Sequence, residues 1–95
     1  MPAAHRHTDI CTGHRCFPPR PNLEGSKNVF VNSLGWHRKG DKWATHCCGD
    51  NCHVSKTAIG SSSVYINSLP AARVADPVHC GSACARGSTN VYCGG

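Results

Sequence analysis

One ten-residue pattern occurs twice in the chain, 35 positions apart. Gly25-Ser26-Lys27-Asn28-Val29-Phe30-Val31-Asn32-Ser33-Leu34 matches Gly60-Ser61-Ser62-Ser63-Val64-Tyr65-Ile66-Asn67-Ser68-Leu69. A shorter copy, Gly87-Ser88-Thr89-Asn90-Val91-Tyr92-Cys93-Gly94, closes the chain. A second motif, Arg-x-x-Asp, recurs as Arg6/Asp9, Arg38/Asp41 and Arg73/Asp76. Sixteen residues separate Gly from Asp in both full copies, and sixteen separate Asp9 from Gly25. Units this short cannot bury an apolar face alone, so neighbouring copies must supply one another's core. The spacing therefore predicts three similar units around a pseudo-threefold axis within a single domain, 1–95, with copies near 2–24, 25–59 and 60–95.

Each unit reads locally as strand and turn. Val-Phe-Val and Val-Tyr-Ile are β-branched and aromatic triplets bounded by Gly-Ser and Asn-Ser, which is strand followed by a tight turn. Asn32 and Asn67 suit the turn because Asn tolerates positive φ. Leu-(Gly/Pro)-x-x-Arg-x-x-Asp is the returning strand of a hairpin, with Pro70 at its start or edge, where no ladder N–H is lost. Asp41 and Asp76 read as turn or capping residues, with Arg6, Arg38 and Arg73 holding adjacent turns through charge-assisted bonds. Ten Gly and six Pro argue against a helical bundle. The predicted class is small and all-β, three hairpin-like repeats around a pseudo-threefold axis with no helix required.

Such a fold has little to fill it. Leu, Ile, Val and Phe number 15 in 95 residues, below the ~20% at which chains begin to look disordered. A domain of this size buries only about 60–65% of its unfolded surface, so a covalent or metal staple is expected. Eight Cys and seven His are the available material. The opening MPAAHRHTDI has no h-region of a signal peptide. That weighs against disulfides, which persist in oxidising compartments, and the histidines favour metal.

The repeat offsets select the ligands. His14 lies five after Asp9, His46 five after Asp41, and Cys80 four after Asp76. Equivalent points of three converging repeats thus deliver His, His and Cys. His53, in the connector lengthened before Gly60, is the candidate fourth ligand, with Cys47, Cys48 and Cys52 as competitors. Four N/S ligands suit tetrahedral Zn²⁺ with no open position, the mark of a structural site. Binding would then contribute folding free energy directly. His5, His7, His37 and His79 share no offset of this kind and are read as solvent-facing. The seven other cysteines have no required role.

Leu69-Pro70-Ala71-Ala72-Arg73-Val74-Ala75-Asp76, preceded by Gly60-Ser-x-x-Val-x-Ile-Asn67, resembles the PAAR domain, which is named for its Pro-Ala-Ala-Arg run. The opening Pro2-Ala3-Ala4-His5-Arg6 is similar, with one residue inserted. The resemblance implies a β-rich cone with one structural Zn²⁺ near its apex, and it carries the ligand roles onto His14, His46, His53 and Cys80. It further implies a tip that caps and sharpens the trimeric β-helical spike of a type VI secretion system or contractile phage tail. The implied partners are that spike protein and, transiently, a target envelope; with only short tails outside the motif, any effector cargo is expected to bind non-covalently. The implied itinerary is cytoplasmic assembly, then the virion tail tip or export through the machine. The sequence departs from the family pattern at Gly35-Trp36-His37-Arg38, at Thr8 and Ala75 where Gly usually precedes Asp, and at Asn-Ser in place of Asn-Gly.

A net charge of +5 raises a second reading, a zinc-stabilised nucleic-acid- or protein-binding module. The basic residues are scattered, with no run longer than Arg38-Lys39, so no specific nucleic acid is expected. Nor does any carboxylate stand where a general base would serve a metal with a vacant position, so the chain is read as non-enzymatic. Val29, Val31, Val64, Ile66 and Val91 are the candidates for core and docking base.

Overall fold

The computed structural model describes all of residues 1–95. Six short strands pair within three antiparallel hairpins: β1 (Phe30–Val31) with β2 (Leu34–Gly35), β3 (His46–Cys48) with β4 (Asn51–His53), and β5 (Tyr65–Ile66) with β6 (Leu69–Pro70). There is no helix, and the molecule measures 38 × 24 × 21 Å. The small all-β class expected from the repeats is what the chain adopts.

Two of these hairpins are the repeat hairpins, in matching register: Phe30 faces Gly35 and Tyr65 faces Pro70. Their turns are Asn32-Ser33 and Asn67-Ser68, with φ of 52° and 68°, and 54° and 68°. Two successive positive φ values give the turn whose twist suits a two-residue hairpin loop. The third hairpin differs from expectation. β3–β4 lies in the lengthened connector, and the short third copy makes no hairpin of its own. Instead Tyr92 pairs antiparallel with Ala3 at the other end of the chain. Ala3 stands six before Asp9, as Gly35 and Pro70 do before Asp41 and Asp76, so the two termini together build the missing unit. The hydrogen bonds repeat accordingly: Ala4, Trp36 and Ala71 donate their N–H groups to Val91, Val29 and Val64 at 2.9, 3.0 and 2.9 Å.

The units meet on the axis through a cyclic set of backbone hydrogen bonds. The N–H of His5 donates to Ala72 at 3.1 Å, that of His37 to His5 at 3.1 Å, and that of Ala72 to His37 at 2.9 Å. All three residues are fully buried. Their side chains end the solvent-facing reading of His5 and His37. Each imidazole is satisfied on both nitrogens: His5 Nδ1–H donates to Arg86 O and its Nε2 accepts from Asn22, while His37 Nδ1–H donates to Glu24 O and its Nε2 accepts from Thr57. Burial is the main cause that drives both imidazoles toward the neutral form, His37 down to about 3. His79 is exposed as expected, and His7 is half-buried.

Outside the axis, the same devices recur three times. Ser26, Ser61 and Ser88 are buried, and each hydroxyl accepts the N–H groups two and three residues on. Each Asp of Arg-x-x-Asp accepts the backbone N–H and the guanidinium of its own Arg, at 2.8–3.1 Å. The Arg6 and Arg38 guanidiniums also reach the turn residues Asn32 and Asn67. These carboxylates cap turns, as their spacing predicts, and multiple charge-assisted bonds satisfy each buried one. No buried side-chain N or O lacks a partner. Two small apolar clusters remain: Cys11, Trp43, Val78 and Cys84, and Ile66, Ala71 and Cys93 with Val29, Trp36 and Val64 against them. The core is thin, and buried cysteines fill part of it as small hydrophobes.

Candidate metal centre

The segments that leave the three Arg-x-x-Asp turns carry His14, His46 and Cys80, and β4 adds His53. One ligand atom from each of these four side chains lies within 4.8 Å of the others. His46 Nε2 is 2.5 Å from His53 Nε2, His14 Nε2 is 3.2 Å from His53 Nε2, and Cys80 Sγ is 3.9 Å from His46 Nε2. A tetrahedral Zn²⁺ with bonds of about 2.0–2.3 Å sets neighbouring ligand atoms about 3.3–3.8 Å apart. The three separations straddle that range, so the four donors are gathered on the scale of one ion.

The donor chemistry passes a second test. His46 Nδ1–H donates to the carbonyl of Pro18 at 3.1 Å, so its Nε2 carries a lone pair aimed at His53. Three imidazole Nε2 atoms converging in this way offer the nitrogen donor set that a metal cation takes. An Nδ1–H held by a carbonyl is also the usual way a metal-ligating imidazole is oriented. Desolvation, then repulsion from His46 and His53, lowers the pKa of His14 and favours the neutral form that ligates. Beneath the three rings sits Phe17, with centroids 4.8, 5.0 and 4.4 Å from His14, His46 and His53. The sequence patterns assign nothing to Phe17 or Pro18. Their nearness to His14 is the one signal that points to them.

The competitors for the fourth position are engaged elsewhere. Cys47 is bonded to Cys52 and Cys16 to Cys48, while Cys11, Cys80, Cys84 and Cys93 are free. The chain thus combines disulfides with a metal-type cluster, which corrects the expectation that metal would replace them. Of the four residues in the cluster, three are half-buried and His46 is buried. Four protein donors on one point would fill the coordination of a tetrahedral ion.

A family model for the PAAR motif matches residues 4–86. This chain belongs to the PAAR-motif family. Two toxins of Pseudomonas aeruginosa, the NAD(P)(+) glycohydrolase toxin Tse6 and the (p)ppApp synthetase toxin Tas1, are each 38% identical to it over 79 residues. The match takes in 77% of this chain and 18% of each toxin. The His/Cys cluster falls inside the residues matched by the family model, as do all three Arg-x-x-Asp turns.

Proposed function

We propose that this PAAR-motif chain is the tip of a contractile injection machine, a type VI secretion system or phage tail. In this role it caps the trimeric β-helical spike and narrows it to a metal-stapled point. His14, His46, His53 and Cys80 would hold one Zn²⁺. The ion would supply no reaction, only four bonds that tie the three repeats and the β3–β4 hairpin together at the ligand end.

The observation that carries the docking role is the threefold set Phe30, Tyr65 and Tyr92. These side chains occupy the same position of each unit, opposite Gly35, Pro70 and Ala3, and they are 59%, 56% and 52% exposed. One chain with three equivalent exposed aromatics can meet a threefold partner with a similar contact on every side. Aromatic anchors dominate such interfaces, and the open hairpin edges offer strands for pairing with a β-helix end. On this reading assembly precedes export, and effector cargo travels with the tip.

The nucleic-acid alternative loses support from the same geometry. Arg6, Arg38 and Arg73 are each paired with Asp, which neutralises three of the ten basic side chains. We propose no enzymatic activity for the chain, since the catalytic names belong to relatives of which it matches 18%.

Co-purification with a soluble trimeric β-helical spike tests this function, with stoichiometry read by native mass spectrometry. One chain per spike trimer is expected, and F30A/Y65A/Y92A should abolish the complex while the free chain keeps its circular dichroism. Retention of the complex by that variant would contradict the docking surface. Tight, salt-sensitive binding to DNA instead would favour the nucleic-acid reading.

A further inference from the structure

The cysteines divide by place. Cys16, Cys47 and Cys52 are exposed and Cys48 half-buried, and these four are cross-linked. Cys11, Cys84 and Cys93 are buried in the apolar clusters and remain thiols, with burial pushing the Cys84 thiol up out of reach of ionisation.

Both cross-links fall on the segments that carry imidazoles. Cys16 stands two residues after His14 and is bonded to Cys48, two residues after His46. Cys47 follows His46 directly and is bonded to Cys52, which precedes His53 directly. In the hairpin, the Cys47–Cys52 pair is next in register to His46–His53. The three histidine-bearing segments are therefore one covalently closed unit, and Cys80 arrives on a segment that no disulfide ties.

We propose that Cys16–Cys48 and Cys47–Cys52 form a redox-dependent clamp that fixes His14, His46 and His53 as a preorganised three-nitrogen set. The metal is then held more tightly once the tip stands in an oxidising space. The inference rests on the metal-centre reading above. A bound ion leaves by losing ligands one at a time, and a ligand that cannot swing away recaptures it at high effective concentration. Preorganisation of the free site acts in the same direction. Each bond forms as two thiols give up two protons and two electrons to an incoming disulfide, oxidised glutathione or the active disulfide of an oxidoreductase, which departs as two thiols. The exposed thiols are open to that exchange and the buried ones are not. The four cysteines act as positioning residues, since none of them offers an atom to the cluster.

The test compares zinc release from one full-length protein in two redox states. The zinc-loaded chain is equilibrated with oxidised glutathione or with a phosphine reductant, and mass spectrometry counts its disulfides. Zinc transfer to an excess of chromogenic chelator is then timed at a temperature where circular dichroism shows both forms folded. The clamp predicts release at least about 10-fold slower from the oxidised form, the scale on which supports outside the ligand shell act. The C16S/C47S/C48S/C52S variant should release zinc at the fast rate in both buffers. Equal rates from the wild-type chain, with two disulfides verified, would overturn the clamp, as would a redox difference that survives in the variant. Zinc bound in neither state would instead overturn the metal centre, and the clamp with it. The wild-type comparison needs no substitution, so poor folding of the variant leaves it decisive.

Discussion

The backbone N–H of His37 donates to the carbonyl of His5 at 3.1 Å, and Ala72 completes the cycle between them. Each of the three residues stands immediately before the Arg of its Arg-x-x-Asp motif. The pseudo-threefold axis therefore passes through three neighbouring backbones, and the side chain at this position must be small or fully bonded. Ala72 takes the first course and the two imidazoles the second. Replacing His37 with Ala would strand the Thr57 hydroxyl, which also accepts from Trp43 at 2.8 Å, and open a void beside the indole. We expect H37A to lose about 2–4 kcal/mol in urea unfolding.

The same two imidazoles make the fold acid-sensitive. Their folded pKa values lie below the ordinary 6.5, so the unfolded chain binds protons that the folded chain refuses. Stability is then fully present above pH 6.5 and declines as pH falls through the window between 6.5 and the lowered folded values. The slope is up to about 1.4 kcal/mol per pH unit for each histidine. Urea midpoints of the metal-free chain at pH 7 and pH 5 measure it. A flat midpoint across that range would show that the axis histidines carry a proton in the folded state.

Much of this architecture is legible in the order of the residues. His14, His46 and Cys80 stand out because they follow the Asp of each repeat at nearly one offset, and the structure brings their donor atoms together with that of His53. The offset of His5 and His37 before the same Asp is equally regular, four residues in each case. It carries no signal of burial, because a polar residue alone does not announce that it lies on an axis. Tyr92–Ala3 pairing joins the chain's two ends, and no local pattern specifies a contact of that range. The disulfides are hidden for a different reason. Eight cysteines allow 105 full pairings, and only the folded chain selects Cys16 with Cys48 and Cys47 with Cys52.

Two non-glycine residues hold left-handed backbone where the remaining Arg-x-x-Asp turn has Gly. Thr8 and Ala75 have φ of 78° and 79°, beside 86° for Gly40 at the equivalent position. The steric cost of that region for L-residues is about 1–2 kcal/mol, partly offset by the greater unfolded-state entropy of Gly. T8G and A75G should each stabilise the chain by about 0.5–1 kcal/mol in denaturant unfolding. A loss of stability would mean that the turns are not strained.

The turn-capping carboxylates should matter more than surface ion pairs do. Asp41 is buried and accepts both the backbone N–H and the guanidinium of Arg38. D41A leaves these donors unpaired and should cost about 2–4 kcal/mol, whereas K39A, on an exposed side chain, should change stability by less than about 0.5 kcal/mol. Equal effects from the two substitutions would show that the Arg-x-x-Asp turn is not a structural unit.

One ion shared by four side chains from converging segments is the central claim. Metal content of the folded, purified chain, measured by inductively coupled plasma mass spectrometry beside that of H46A and C80A, tests it most directly. One Zn²⁺ per wild-type chain is predicted, with strong loss in both variants and a lower unfolding midpoint. A wild-type chain that is fully folded, resists unfolding and contains no metal would contradict it.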